Sequence, residues 1–325
     1  CIRDSFGTGG LTTIDGSTED PDADIAMAMR IDDTGRIVIA GATTGPATDT
    51  DLIVARLFAD GTLDTNFGPG GTVTYDNDAS GVKNDIGVEL RIDDANRITI
   101  IGSSRDAALT DPGEVAIWRF LQSGTFDASF ATAGEFLSGN VADRPGGLMI
   151  DATTGQALGF GSRGGDLALW LLDQDGELEV DFPNPGAGGV ALVEDDEAAL
   201  IGRSAEIYNP ISIVAVGERR PSGEAAQMFI MRLFGDGSID AGFGNEGILS
   251  CASAGGASTA RAAAVADSGQ IVVTGGTTLR NVGGASSALS GALWLLTPQG
   301  FLDISLGGVG VVHLTDLTLD AETDA

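Results

Sequence analysis

Side chains able to catalyse a reaction are scarce in this sequence. His313 is the only histidine in 325 residues, so a Ser-His-Asp or Cys-His arrangement has one candidate base. No Cys-x-x-Cys or His-Glu-x-x-His pattern occurs, which argues against a zinc site. Asp and Glu total 47, enough for a glycosidase pair, but spacing singles out no pair. We therefore predict that the protein is not an enzyme and assign no catalytic residue.

Alternating aspartates offer the oxygen ligands that calcium prefers. They occur in two short segments, one containing Asp20, Asp22 and Asp24 and the other Asp76 and Asp78. Neither segment has the full spacing of a known calcium loop. The sequence thus predicts no cofactor, with calcium at these aspartates as the alternative.

Arginines are the second group with potential chemistry, because cations are rare in this chain. Lys and Arg total 17, and the formal net charge is −30. Binding a phosphate backbone requires cations, so the balance excludes nucleic acid as a partner. Five arginines are expected in variable loops on one face: Arg105, Arg163, Arg219, Arg220 and Arg280. They are either solvated surface charges or a positive rim that docks an acidic protein or an anionic glycan.

The cysteines bear on location. The sequence begins at Cys1 and contains one other cysteine, Cys251. A start at cysteine without a signal peptide predicts a processed, exported product with a lipid attached to Cys1, at a bacterial cell surface or outer membrane or outside the cell. A disulfide with Cys251 in an oxidising compartment is the alternative. No apolar run of about 18 residues is present, so membrane contact would depend on the lipid.

A repeat supplies the elements that must position these residues. A Phe-Gly motif recurs along the whole chain, and each copy has a glycine four residues after its central residue. The copies are centred on Phe6, Phe67, Phe130, Phe182, Phe243 and Leu306. Three apolar runs typical of strands, here b, c and d, lie between successive copies, and a further strand, a, follows each motif. Such regular spacing indicates a repeat architecture.

Five b-c-d sets without helical periodicity predict an all-β protein. We expect a β-propeller of five blades, each with about four antiparallel strands, in preference to an open β-solenoid. Six motif copies against five sets leave one surplus terminal strand. It is Val309 to Leu314 if blades run from a to d, or lies within residues 1–15 if they run from b to a. Residues 1–315 are predicted to form a single domain, followed by an acidic tail, 316–325.

All three tryptophans fall at one position of strand d. They are Trp118, Trp170 and Trp294. A stacking platform for sugars would use such residues, but placement at the centre of a strand favours a repeated packing layer.

The stretch from Arg56 to Gly68, preceded by Arg36 to Gly41, resembles the delta-sixty repeat of bacterial secreted proteins. Its first part is similar to the family's DGKILVAG hairpin, and Asp60 to Gly68 is similar to its DGSLDxSFG turn. The third and last copies depart from the pattern, with Glu179, Pro183 and Leu306. The resemblance implies a propeller that is typically exported and has no assigned catalysis.

Together these observations predict a non-enzymatic, exported propeller. It would serve as an interaction scaffold, or as a subunit of a cell-surface or envelope assembly with protein partners. The alternative is a carbohydrate-binding or glycoside-processing propeller that uses axial acids or the variable-loop face.

Overall fold

Strands provide the regular secondary structure in the computed structural model of the protein. It describes residues 5–14, 24–44, 50–75, 83–106, 113–183, 185, 188–209, 212–251, 256–279 and 288–314. Those residues contain twenty strands and no helix, which confirms the all-β prediction. The strands form five four-stranded antiparallel sheets, numbered 1 to 5 along the chain. This arrangement is consistent with five propeller blades, and closure of a ring stays a prediction.

Within each sheet the strands are hydrogen-bonded in chain order. Sheet 1 comprises β1 (Ile25–Ile31), β2 (Ile37–Thr44), β3 (Thr50–Leu57) and β4 (Thr72–Tyr75). Sheet 2 comprises β5 (Lys83–Ile92), β6 (Ile98–Asp106), β7 (Glu114–Phe120) and β8 (Glu135–Leu137). Sheet 3 comprises β9 (Asp143–Ile150), β10 (Ala157–Arg163), β11 (Asp166–Leu172) and β12 (Val190–Val193). Sheet 4 comprises β13 (Ala198–Asn209), β14 (Ser212–Pro221), β15 (Gln227–Phe234) and β16 (Ile248–Cys251). Sheet 5 comprises β17 (Ser258–Val265), β18 (Ile271–Leu279), β19 (Ala288–Leu296) and β20 (Val311–Leu314).

The chain divides into two compact units, Cys1–Leu192 and Val193–Ala325. The first holds sheets 1 to 3, apart from the last residue of β12, and the second holds sheets 4 and 5. In each unit the first strands of successive sheets contact one another, β1 with β5, β5 with β9, and β13 with β17. The predicted single domain over 1–315 stays a prediction, and the tail 316–325 lies outside the described residues.

The four strands of each sheet follow the order b, c, d and a along the chain. This order identifies which copy of the Phe-Gly motif is surplus. The C-terminal strand β20 is the fourth strand of sheet 5, so the unmatched copy is the one around Phe6. Its described residues, 5–14, form turns and a Thr8–Leu11 bridge instead of an extra strand. The Gly7 N–H donates to the Asp60 carbonyl at 2.7 Å, so this copy docks on the turn after β3.

Apolar side chains alternate along the strands and fill the space between successive sheets within each unit. Trp118 lies in the cluster between sheets 1 and 2, Trp170 between sheets 2 and 3, and Trp294 between sheets 4 and 5. All three are buried. The packing-layer interpretation of the tryptophans is therefore confirmed.

The Phe-Gly motif joins one sheet to the next. Phe67 is buried, and the Gly68 N–H donates to the carbonyl of Ser123 in the next sheet at 2.9 Å. A Cβ on Gly124 would lie 3.1 Å from the Phe67 ring, so glycine is needed there to admit the aromatic side chain. Phe67 therefore packs in the core between sheets 1 and 2.

An arginine and an aspartate reinforce this junction in sheets 1, 2 and 4. The Arg119 Nε donates to Asp127 Oδ2 at 2.8 Å, its Nη1 donates to the Gln174 carbonyl of sheet 3, and its guanidinium lies 4.3 Å from the Phe130 ring centre. Arg56 and Arg232 make the equivalent contacts. Each trio thus links a strand, its own turn and the neighbouring sheet.

Leucine replaces this arginine in sheets 3 and 5. In these two sheets a glutamine donates a hydrogen bond to the acid of the motif instead. Leu171 and Leu295 are the replacements. Gln156 Nε2 donates to Glu179 at 3.2 Å, and Gln270 Nε2 donates to Asp303 at 2.9 Å. The acid of the repeat keeps a donor in all five sheets, which indicates a structural role.

Glu135 connects sheets 1 and 2 through a half-buried carboxylate. It accepts hydrogen bonds from Trp118 Nε1 at 2.9 Å and from the Tyr75 hydroxyl at 3.2 Å. Burial raises the pKa of Glu135, and these two hydrogen bonds offset the rise only in part. A raised pKa means that the protonated form is favoured in the folded state. The associated stabilisation is therefore present at low pH and is lost as the pH rises through the folded-state pKa.

We expect Glu135→Leu to lower the free energy of unfolding by about 1–3 kcal/mol, because it removes the acceptor of hydrogen bonds from the Trp118 N–H and the Tyr75 hydroxyl. Glu135→Gln keeps an acceptor and removes the half-buried charge, so it should match or exceed wild type at neutral pH. Urea unfolding near pH 7 and pH 4 tests both variants. Wild type should gain stability relative to Glu135→Gln at the lower pH, and a relative loss would contradict this account.

Candidate anion-binding site

Each sheet has a β-bulge at the same place in its first strand. The strand pairing skips one residue in every case: Met27, Val88, Gly146, Arg203 and Arg261. A bulge breaks the alternation of side chains and redirects the extra residue, and bulges are frequent next to functional sites. Position in the repeat therefore marks these five residues as candidates for ligand contact.

A glycine in the second strand makes each bulge possible. Gly217, for example, pairs with Gly202 next to the bulged Arg203. A Cβ on Gly217 would overlap the carbonyl oxygen of Ile201. Equivalent overlaps would occur in the other four sheets at Gly41, Gly102, Gly161 and Gly275. The second strands continue past these glycines, because the bulge keeps the two strands paired.

Two of the bulged residues are arginines, and both lie in the second unit. Arg203 and the β14 residue Arg220 both lie beside one acid, Glu218, and the charge of Arg261 acts on Arg203; we call these four residues the arginine cluster. Arg220 Nε donates to Glu218 Oε1 at 2.6 Å, and Arg203 Nη2 lies 3.6 Å from Oε2. Glu218 is buried, whereas Arg220 and Arg261 are exposed. The cluster thus places two guanidinium groups beside one carboxylate, with a third arginine next to Arg203.

The cluster carries an excess of positive charge, and its member Arg203 is partly buried. Burial lowers the pKa of Arg203, and the neighbouring charge of Arg261 lowers it further. The carboxylate of Glu218 offsets these effects only in part. A desolvated cation with a like charge nearby is stabilised when an anion approaches. The electrostatics therefore favour an anionic ligand.

The first strands as a group are cationic in an acidic chain. Within their bounds they contain Arg30, Lys83, Arg91, Arg144, Arg203 and Arg261. Their acids are Asp85, Glu89, Asp143 and Glu206. Six cations against four acids contrasts with 17 against 47 in the whole chain. The first strands therefore carry more cations than acids, against the balance of the whole chain.

A depression on sheet 5 adjoins Arg261. It is open and has a volume of about 360 Å³. Thr259, Thr278 and Ser290 line it together with Gly275 and Gly276. Hydroxyl groups and a guanidinium can bind the hydroxyl and carboxylate groups of a saccharide.

The four described arginines of the set predicted from sequence lie at strand ends instead of in loops. Arg163 ends β10, and its Nε and Nη2 each donate to the buried Asp143 at 2.7 Å. Arg219, in β14, donates to Asp195 at 2.6 and 3.1 Å. Arg105 is half-buried in β6. Of the predicted set the structure brings only Arg220 into the cluster, and the wider positive rim stays a prediction.

Several predicted residues lie outside the described part of the chain. They are Cys1, Asp20, Asp22, Asp76, Asp78 and Arg280. Lipidation, a disulfide and calcium binding therefore stay predictions. Asp24 is described and lies immediately before β1. Within the described ranges, no three His, Cys, Asp or Glu side chains come close enough to hold a metal ion.

The sequence contains a signal for Arg203 and Arg261 that the loop-based reasoning missed. In four of the five sheets the bulged residue lies fourteen positions before the strand-c glycine, as in the pair Arg261 and Gly275. Aligning the repeats on that glycine places Met27, Val88, Arg203 and Arg261 in one column. The bulge itself cannot be read from the residue types, since any side chain fits the extra position.

Comparison with known proteins supports the repeat and propeller character. A family model described as a β-propeller domain of unknown function (DUF5122) matches residues 34–67. The match begins in the turn between β1 and β2 and ends at Phe67. It covers a short part of the chain, and the finer resemblance to the delta-sixty repeat stays a prediction. No curated protein matches the sequence.

Among solved structures, the chain resembles two carbohydrate-active enzymes. One is a PL25 ulvan lyase bound to -[GlcA(1-4)Rha3S]-, at 10% identity and a TM-score of 0.43, with 89% of this chain and 70% of the lyase covered. The other is a GH43 β-1,3-galactosidase, at 7% identity and a TM-score of 0.36, with 83% and 60% covered. Both are enzymes, so the prediction that this protein is not an enzyme is wrong and is withdrawn. Likeness at this level says nothing about a substrate of this chain.

Among the described residues, no helix has the length and apolar character needed to cross a membrane.

Proposed function

We propose that this protein recognises an anionic carbohydrate through the arginine cluster. The observation that carries the proposal is a group of three arginines, in which Arg203 and Arg220 pair with Glu218 and the charge of Arg261 acts on Arg203. Two of the three arginines sit on bulges that redirect their side chains. The depression beside Arg261, lined by hydroxyl groups, supplies the polar contacts that a sugar ring requires.

The net charge of −30 limits which anions can bind. A dense polyanion is repelled by the protein as a whole, whereas a saccharide with few acidic groups meets mainly the local charge of the cluster. The proposal is therefore for a chain that carries isolated carboxylate or sulfate groups among neutral sugars. Export to a cell surface and anchoring through Cys1 are retained as proposals that fit such a ligand.

Calorimetric titration with acidic and neutral oligosaccharides tests the proposal. We expect the Arg203→Gln/Arg261→Gln variant to bind an acidic oligosaccharide about 10- to 100-fold more weakly than wild type, since charged hydrogen bonds contribute about 1.5–3 kcal/mol. Arg30→Gln is the matched control, because Arg30 is a first-strand arginine paired with Glu89 and lies in the other unit. Thermal unfolding of each variant confirms that the fold is retained.

Two results would refute the proposed function. One is equal affinity for neutral and acidic oligosaccharides, and the other is wild-type affinity in the double variant. The same oligosaccharides, incubated with the protein and assayed for new reducing ends and for unsaturated products, show whether binding is accompanied by hydrolysis or by elimination.

A further inference from the structure

Arg203 has a hydrogen-bond donor that the described protein does not use. Its Nε is buried and has no hydrogen-bond partner among the described residues. The side chain as a whole is 34% exposed, so part of Arg203 remains accessible from the surface. An unused buried N–H on a cation is costly unless a ligand supplies an acceptor.

Glu218 engages the guanidinium groups of Arg220 and Arg203 to different extents. Arg220 donates its Nε to Oε1 at 2.6 Å, and the longer 3.6 Å approach of Arg203 Nη2 to Oε2 leaves Arg203 only loosely engaged. Glu218 is the first residue past Gly217 in β14, opposite Ile201 of β13. It therefore lies next to the bulge and holds a carboxylate beside two arginines.

We infer that a ligand carboxylate binds between Arg203 and Arg261, that Arg203 Nε is the donor that orients it, and that Glu218 acts as an internal counter-ion which limits its affinity. The inference rests on the proposed function and names the acidic group of the saccharide as a carboxylate, that of a uronic acid.

Planar geometry is the reason for choosing a carboxylate. The guanidinium group presents its donors in a flat fork that matches the two oxygens of a carboxylate. The acid that the cluster already holds is a carboxylate, bound by one oxygen to each of two arginines. A second carboxylate can use the remaining donors of Arg203 in the same way, with Arg261 on its other side.

A lysine substitution separates the role of the fork from that of the charge. Arg203→Lys keeps the positive charge but removes the Nε donor and the planar fork. We expect it to bind a uronic acid tetrasaccharide at least about tenfold more weakly than wild type, since a charged hydrogen bond is lost. Binding within twofold of wild type would show that the fork is not used, while the proposed function would stand.

The counter-ion role of Glu218 predicts a gain in affinity, which simple structural damage would not produce. Glu218→Gln keeps an acceptor for Arg220 and removes the competing negative charge. We expect about five- to tenfold tighter binding of the same tetrasaccharide at low ionic strength, and a smaller gain at high salt. Equal or weaker binding would overturn this role, and this variant tests the inference even if Arg203→Lys fails to fold.

Two control ligands complete the experiment. The carboxyl-reduced tetrasaccharide is neutral and should lose most of the affinity for wild type, and a sulfated oligosaccharide should bind more weakly than the uronic acid. Tighter, Arg203-dependent binding of the sulfated ligand would overturn the choice of carboxylate and leave the proposed function intact. Failure of wild type to bind any acidic oligosaccharide would overturn both.

Discussion

Replacing Arg119 with leucine is expected to lower the free energy of unfolding by about 3–5 kcal/mol, because it leaves the carboxylate of Asp127 buried without its cation. The Arg119 side chain is only 1% exposed and that of Asp127 7%. The substitution also removes a hydrogen bond to the Gln174 carbonyl in sheet 3 and a guanidinium stacked on Phe130. Urea unfolding of the purified variant measures the loss.

A matched surface variant separates burial from charge. Arg30→Leu removes an arginine that is 38% exposed and paired with Glu89, and exposed pairs contribute about 0–1 kcal/mol. The double variant Arg119→Leu/Asp127→Asn removes both buried charges and should recover a large part of the loss. A cost below about 1 kcal/mol for Arg119→Leu alone would contradict the structural role assigned to the pair.

The pH dependence of the pair has a definite sign. Burial alone would raise the pKa of Asp127, but hydrogen bonds from Ser129 and the charge of Arg119 outweigh it and hold the pKa below its usual value of 3.8. A lowered pKa gives stability that is present above the unfolded-state value and is lost as the pH falls through the folded-state pKa. The advantage of wild type over the double variant should therefore persist down to about pH 4 and narrow below it.

Gly275→Ala is expected to cost about 3 kcal/mol, although it adds a single methyl group. The new Cβ would overlap the carbonyl oxygen of Thr259, the residue two before the bulged Arg261. The strand pair must then separate or lose its bulge, and either change moves Arg261. We therefore expect the variant to lose stability and also to bind an acidic oligosaccharide more weakly.

The neighbouring glycine provides the control. A Cβ on Gly276 would have no neighbour closer than 3.9 Å, so Gly276→Ala should change the free energy of unfolding by no more than about 0.5 kcal/mol. Both residues lie in β18, one position apart, so the comparison isolates the contact with the bulge. Equal stability of the two variants by urea unfolding would show that the bulge does not require Gly275.

Much of the architecture follows from the sequence alone because it depends on local patterns. Alternating β-branched residues and Gly-Asp turns repeat at regular intervals, and they determine the strand content, the five sets of strands and the burial of Trp118, Trp170 and Trp294. The sequence also showed that the surplus copy of the Phe-Gly motif belongs to one of the two ends of the chain. The choice between Phe6 and Leu306 needed the pairing of β19 with β20, which is a contact between distant residues.

The arginine cluster is decided only by tertiary structure. Arg203, Glu218, Arg220 and Arg261 are spread over three strands of two sheets, and no short motif connects them. The sequence determined the glycine that permits each bulge, but the bulge shifts a side chain out of the regular alternation, so period-two reasoning assigns it to the wrong face. Arg163 and Arg219 show the opposite case. From the sequence they were candidates for binding a partner, but in the structure they form ion pairs with Asp143 and Asp195, which are distant in the sequence. Local periodicity specifies strands, whereas the pairing of charges depends on which strands become neighbours.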